Sequence, residues 1–177
     1  SRDVLIDGAF IVSADDAIAV KNRFPNDPDG KTTERVTFRN SVVSTIKSAL
    51  KIGTETRGPI RDVMFENCDV FDGDRGIVLY ARDGGPVERA VWRNIRLFMR
   101  NWPQEKDSGT VFHLNVERRE AATPVRDCRI ENVTANWIYR SEFAGLADAP
   151  LSDVTLRNIQ AKVDLPKTGK PALFVCR

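Results

Sequence analysis

A seven-residue phrase occurs five times in the chain and limits the folds that it can adopt. One copy reads R-D-V-M-F-E-N and another S-D-V-T-L-R-N, and a degenerate copy, D-V-L-I-D-G, spans 3–8. The phrases end at residues separated by 27, 27, 38 and 26 positions, namely Asn40, Asn67, Asn94, Asn132 and Asn158. Self-similarity at this period indicates one supersecondary unit stacked on itself, which predicts a solenoid.

Each unit is expected to consist of strands. Within the phrase apolar and polar residues alternate, and short apolar segments follow at 18–20, 50–52, 77–79 and 112–114. We predict an all-β, right-handed parallel β-helix of about six coils, as one domain over 1–177. The coils begin near residues 1, 33, 59, 86, 124 and 150, with an insertion at about 100–110. A β-propeller is the alternative, but its repeat is longer, at about 40–45 residues.

The residue that ends each phrase has a structural explanation. Asn adopts left-handed backbone conformations more readily than most residues, and stacked amides can form a hydrogen-bonded ladder. Asn132 begins an N-V-T glycosylation sequon, yet its place in the repeat favours the structural role. Cys68 and Cys128 fall on apolar positions of the repeat, so we predict core residues. The cysteine spacing fits no zinc pattern, and no metal or cofactor is expected.

Bulk properties exclude some partners. The chain has 27 basic and 25 acidic residues, a near balance that does not suggest nucleic-acid binding. No apolar run reaches membrane-spanning length, so no membrane partner is expected, and no secretory signal is visible. Because solenoid ends need caps and Ser1 opens directly on a coil, we expect missing N-terminal coils, or a second chain that completes the helix.

Aligning the second strands predicts which side chains share the outer face. Coils stack about 4.8 Å apart, so residues in one row are neighbours. A row of small residues is expected to leave room for a ligand: Ala17, Ala49 and Gly76. The outer face is expected to carry charged residues on successive coils: Asp15 and Asp16, then Lys51 and Glu55, then Arg75 and Arg82, and finally His113.

The Asp15-Asp16 pair is the sharpest chemical signal. Adjacent strand residues point to opposite faces, so the pair is expected at a turn, where both carboxylates can reach one cleft. Two carboxylates are what glycoside hydrolysis requires, one to protonate the leaving oxygen and one to activate water. A plain solvated turn is the alternative for such a dipeptide.

The segment 13–21, S-A-D-D-A-I-A-V-K, resembles the G-D-D-C-I-A-I-K motif of the polygalacturonase family, glycoside hydrolase family 28. The resemblance implies a parallel β-helix that is secreted or periplasmic and hydrolyses pectin-like polysaccharides with inversion. It also implies that Asp15 is the general acid, that Asp16 helps to activate water, and that Lys21 contacts substrate.

The chain departs from that family in several places. The family's G-H-G aligns with Ser48-Ala49 and its R-I-K with 78–80, V-L-Y. Lys51, Arg75 and Arg82 are therefore expected to replace the lost substrate contacts, with Glu55 beside them, on a different acidic polymer. The family's other catalytic Asp lies one coil upstream of Ser1, so this chain alone is expected to be inactive.

Two further residues are candidate sugar contacts. His113 is the only histidine and is predicted on the surface, and Trp102 lies in the insertion, where a long loop beside a binding face often carries function. Trp92 falls within a phrase, which predicts core packing. Three functions remain open: an inverting glycosidase, a carbohydrate-binding β-helix without activity, and a polysaccharide lyase with Lys51 or Arg75 as base.

Overall fold

The computed structural model describes residues 1–23, 32–100, 109–138, 140–163 and 173–176. Those residues contain thirteen β-strands and no helix. None of the described segments forms a helix that could cross a membrane. Trp102 lies outside the described residues.

Two parallel sheets run the length of the molecule. Sheet 1 comprises β1 (Arg2–Asp7), β2 (Phe10–Ser13), β4 (Thr33–Thr45), β6 (Ile60–Phe71), β8 (Val87–Phe98), β10 (Val125–Ile138) and β12 (Leu151–Val163). Sheet 2 comprises β3 (Ile18–Asn22), β5 (Ser48–Thr56), β7 (Arg75–Asp83), β9 (Thr110–Ala121), β11 (Arg140–Ala144) and β13 (Leu173–Cys176).

The strands pair in coil order within each sheet. Sheet 1 has the order β1-β4-β6-β8-β10-β12, with β2 also on β4, and sheet 2 the order β3-β5-β7-β9-β11-β13. The chain alternates between the sheets at every coil, which confirms the parallel β-helix.

The predicted rows of sheet 2 are confirmed by the strand register. Leu50 pairs with Ile18 on one side and with Ile77 on the other, and Ile77 pairs with Phe112. The outward row also has the predicted register, with Lys51 beside Ala19. The repeat therefore predicts which residues are neighbours between coils.

The interior of sheet 1 is an aromatic stack. Phe65 lies between Phe38, at 6.4 Å between ring centroids, and Trp92, at 5.7 Å with nearly parallel rings. Trp92 is fully buried and its indole N–H donates to the Leu50 carbonyl at 3.3 Å, so it links the two sheets. The prediction that Trp92 packs in the core is confirmed.

The prediction that the small residues of sheet 2 leave room for a ligand is wrong. A Cβ added to Gly76 would lie 2.9 Å from the Leu97 side chain, in the core. Ala49 is also fully buried there. Small residues are needed here because the backbone of sheet 2 lies close to core side chains.

Left-handed residues recur at two positions of each coil, five residues apart. The second of them is the residue that ends each phrase, with φ between 50° and 57° at the five asparagines. The first is acidic or arginine and its φ lies between 53° and 56°, at Asp3, Arg35, Asp62, Arg89, Asp127 and Asp153. A left-handed residue cannot continue an extended strand, so each one bends the chain around the core.

The predicted asparagine ladder is present. The Asn67 amide donates to Asn40 at 2.7 Å, and Asn132 donates to Asn94 at 2.9 Å. Asn158 donates in turn to Asn132 at 2.9 Å. The structural interpretation of Asn132 is thus confirmed, because its side chain occupies one step of the ladder.

Ion pairs between coils run beside the ladder. Arg89 binds Asp62 at 2.7 Å, and Arg93 binds Glu66 at 2.6 Å. Glu34 receives both Arg61, at 2.6 Å, and Arg35, at 2.7 Å, and these guanidinium groups hold its pKa below the usual range. The pairs of Glu34 with Arg61, of Arg89 with Asp62 and of Arg93 with Glu66 join neighbouring coils, so they contribute to register. Arg35 and Glu34 are neighbours within one coil.

The two described cysteine side chains are core residues, as predicted. Cys68 and Cys128 are fully buried and free of disulfides. Burial raises the pKa of the Cys68 thiol to about 11 and that of Cys128 to about 12. Both thiols are therefore neutral, unreactive packing groups at neutral pH.

We predict that the ladder is measurable as stability. Asn132→Ala removes two amide hydrogen bonds and leaves a residue that is strained at φ 53°, so the unfolding free energy should fall by about 2 kcal/mol. Asn132→Gly loses the same bonds without the strain, so its unfolding free energy should fall by only about 1 kcal/mol. Urea unfolding of both variants measures the difference. Equal losses would contradict the backbone contribution.

Candidate functional site

The Asp15-Asp16 pair lies in the turn between β2 and β3, as predicted. The Asp15 N–H donates to Ser13 Oγ at 3.1 Å, and the Asp16 N–H donates to Asp15 Oδ1 at 2.8 Å. Thr45, in the next coil, donates its hydroxyl to the Asp15 carbonyl. Hydrogen bonds within its own coil and from the next coil thus hold the turn. The Asp15 side chain is exposed, and that of Asp16 is 19% exposed.

Asp16 is joined to the next coil by a salt bridge. Lys51 Nζ lies 2.6 Å from Asp16 Oδ2, and only 10% of the Lys51 side chain is exposed. A charge-assisted hydrogen bond with this little solvent is stronger than a surface pair. Lys51 therefore fixes the orientation of the Asp16 carboxylate at one end of sheet 2.

An aromatic ring lies at the centre of the charged face. The Tyr80 centroid lies 5.7 Å from Lys51 Nζ and 5.9 Å from the Arg82 guanidinium carbon. The His113 ring lies 4.4 Å from it. Cations at these distances are attracted to the ring face. Tyr80 was not predicted as a site residue, although Lys51 and Arg82, which flank it, were both expected on the outer face.

His113 is buried, so its prediction as a surface residue is wrong. Only 6% of it is exposed, because the Tyr80 ring packs against it and the Glu142 coil adjoins its other side. His113 Nδ1 lies 4.0 Å from Glu142 Oε2, and Arg140 binds the same carboxylate oxygen at 3.1 Å. Glu142 and Arg140 were missed, because 140–144, R-S-E-F-A, lacks the alternating apolar segment by which the other second strands were aligned.

The remaining predicted charges also have ion-pair partners. Glu55 binds Lys21 at 2.9 Å, and this ammonium group lowers the pKa of the Glu55 carboxyl. Arg82 binds Glu117 at 2.9 Å, and Arg75 binds Asp74 at 3.1 Å. The face is thus lined by matched charges rather than by a single sign.

Asp83 anchors one edge of this face. Arg119 donates two hydrogen bonds of 2.7 Å to its carboxylate, and the Thr56 N–H donates a third at 3.0 Å. Burial alone would raise the pKa of Asp83, but Arg119 and Thr56 outweigh it and bring the pKa below the usual value. The edge is therefore stabilised only while this carboxylate is ionised.

No cluster of three or more potential metal ligands from His, Cys, Asp or Glu occurs within the described ranges. Among the predicted site residues, the structure joins Asp16 to Lys51 and Lys21 to Glu55, and it brings Lys51, Arg82 and His113 around Tyr80. It turns Arg75 towards its neighbour Asp74. The position of Trp102 is not described.

The described geometry defines a β-solenoid with one charged and aromatic face. Comparison with family models, with curated proteins and with solved structures found no match for the chain. Any function must therefore be argued from the residues of this face.

We predict that the ionised Asp83 carboxylate makes the free energy of unfolding depend on pH. Because its folded pKa lies below the unfolded value of about 3.9, its contribution is complete above that pH and is lost as pH falls through the folded pKa. Asp83→Asn should cost about 2 kcal/mol at pH 7, and the gap to the wild type should shrink below about pH 4. Urea unfolding from pH 7 to pH 3 measures both.

The matched control for Asp83 is Asp148→Asn. Asp148 also binds an arginine, Arg118, but both side chains are more than half exposed. Exposed pairs contribute little to stability, so this variant should unfold like the wild type. A pH-independent gap for Asp83→Asn would contradict the ionic origin of the effect.

Proposed function

We propose that the outer face of sheet 2 binds an acidic polysaccharide and hydrolyses it with inversion. The observation that carries this is the Asp15-Asp16 turn, in which an exposed carboxylate adjoins one held at 2.6 Å by Lys51. The turn leads onto a face with an aromatic ring and basic side chains. The resemblance of 13–21 to the polygalacturonase motif supports the same assignment.

The two carboxylates suit different roles. Asp15 is exposed and can reach a glycosidic oxygen, which fits the general acid. Asp16 is shielded and oriented by Lys51, which fits the general base that takes a proton from the attacking water. Inversion requires a direct displacement by that water, with no covalent intermediate on the protein.

Substrate class follows from the chemistry around Tyr80. A sugar ring offers a C–H face that can lie on an aromatic ring, while Lys51 and Arg82 lie close enough to bind its carboxylates or hydroxyls. Arg82 is held by Glu117, so a ligand carboxylate would exchange with that partner. These features favour an acidic glycan over a neutral one.

The hydrolase proposal is tested by removing each carboxylate in the full-length protein. Asp15→Asn and Asp16→Asn should each reduce the release of reducing ends from polygalacturonate, or from the best of a panel of acidic polysaccharides, by at least 100-fold. The control is Asp127→Asn, on sheet 1, where asparagine tolerates φ 55°. Proton NMR of the first product measures the anomeric configuration.

One outcome would contradict the assignment of the two carboxylates, and another would contradict hydrolysis itself. If both Asp variants release reducing ends as fast as the wild type, Asp15 and Asp16 are not catalytic residues. Products with an unsaturated sugar, detected by ultraviolet absorbance, would instead indicate a lyase and direct attention to Lys51 or Arg75 as the base.

Glycan binding without turnover is the second candidate. It is favoured by the engagement of both carboxylates, since Asp15 Oδ1 accepts from the Asp16 N–H and Asp16 Oδ2 from Lys51. In this case the wild-type protein should bind the best glycan of the panel and release no reducing ends from it.

Both candidate functions predict that Tyr80 contributes to affinity. Tyr80→Ala should weaken binding of that glycan about tenfold, because the ring face is lost. Tyr80→Phe keeps the ring and should bind within a factor of three of the wild type. Isothermal titration calorimetry measures both variants, and unchanged affinity of Tyr80→Ala would exclude the ring as a sugar contact.

A further inference from the structure

Two aromatic side chains form an exposed stack outside the face around Tyr80. Phe71 and Phe98 end β6 and β8, and their rings are 4.9 Å apart and within 8° of parallel. This separation matches the spacing of adjacent coils, so the rings stack along the solenoid axis. They are 40% and 44% exposed, although buried positions for aromatic residues exist throughout the core.

One end of this stack faces a small residue. Ser44 is the register partner of Phe71 on the coil towards the N-terminus, just as Phe98 is its partner on the other side. Beyond Ser44 comes Val12, which is 70% exposed. On that side of Phe71 the row therefore presents a hydroxyl rather than a third ring, and we call this position between Phe71 and Val12 the gap.

Polar groups surround this gap. Ser44 Oγ donates to Asp72 Oδ2 at 3.4 Å, and Arg100 Nε lies 3.4 Å from Asp72 Oδ1. Asp72 has φ 66°, and among the described non-glycine residues with positive φ it alone stands outside the two repeated rows. Asp72 begins the turn that joins β6 to β7, where aspartate tolerates this left-handed conformation, so its carboxylate is held beside Phe71.

The gap is close to the Asp15-Asp16 turn. Ser44 is followed by Thr45, whose hydroxyl binds the Asp15 carbonyl, and Val12 precedes that turn on the first coil. Phe71 lies two coils from Asp15 along the axis, which corresponds to about 10 Å. A chain molecule bound at the turn can therefore extend over the Phe71 ring.

We propose that the Phe71 ring, Ser44 and Asp72 form a second sugar-binding subsite, which holds a more distant pyranose of the same polysaccharide. The C–H face of the sugar lies on the open face of Phe71, and its hydroxyls bind the Asp72 carboxylate and Ser44. This subsite rests on the proposed function, since it extends the glycan-binding surface beyond the carboxylate turn. Phe98 supports the ring from behind.

The experiment compares long and short chains of the same glycan. Isothermal titration calorimetry with galacturonate oligosaccharides of two and of six or more residues, or the equivalent pair from the best-bound polymer, measures the affinity of the full-length protein. Phe71→Ala should weaken binding of the long chain about tenfold and leave that of the dimer unchanged. Ser44→Phe, which fills the gap with a third ring, should weaken long-chain binding to a similar degree without loss of stability.

Leu5→Ala is the control, because it truncates an apolar side chain that is 58% exposed on β1. It should bind both chains as the wild type does. Equal affinity of the wild type, Phe71→Ala and Ser44→Phe for the long chain would overturn the subsite while leaving the proposed function intact. Concentration-dependent dimerisation that Phe71→Ala abolishes, measured by sedimentation, would also overturn it and assign the stack to self-association.

Failure of the proposed function gives a different pattern. If Asp15→Asn and Asp16→Asn keep full turnover while Phe71→Ala loses long-chain affinity, the subsite stands and the catalytic assignment falls. If the wild-type protein binds no glycan of the panel at either length, both proposals fall.

Discussion

Two left-handed residues in each coil are the constraint on which the remaining structure depends. They bend every phrase at the same two points, so successive coils superimpose and the strands between them stay in register. Only a few residue types tolerate this conformation. Asparagine at the second point adds side-chain hydrogen bonds between coils, and arginine–carboxylate pairs at the first add charge complementarity. Uniform coil geometry is what gathers residues distant in sequence onto one face.

The parts of the fold that follow from this repeat could be predicted from the sequence, and the parts that break it could not. The row of Leu50 and Ile77, the burial of Trp92 and the turn at Asp15 all follow from aligned phrases. The small row at Gly76 was assigned to the wrong side, because strict alternation fails at a corner of the coil. Which side a residue takes next to a bend depends on tertiary packing that no local pattern encodes.

The site is harder to predict than the fold for a similar reason. Register brings His113 to the outward row, but its burial depends on how the Tyr80 side chain packs across it. Glu142 is paired with His113 because β11 continues sheet 2, although its sequence lacks the alternating apolar segment of the other second strands. The result is a face in which each charge already has a protein partner. A charged ligand must therefore displace some of these partners when it binds.

The long connection between β8 and β9 has a consequence for how such a protein can diversify. Residues 99–109 join these strands where 72–74 suffice one coil earlier, yet Asn132 still donates to Asn94 at 2.9 Å and Val125 still pairs with Val87. The strands on both sides of this connection keep their register, so its extra length perturbs neither the ladder nor the core. Natural selection, or an engineer, can thus change the length of this connection without redesigning the coils that it joins.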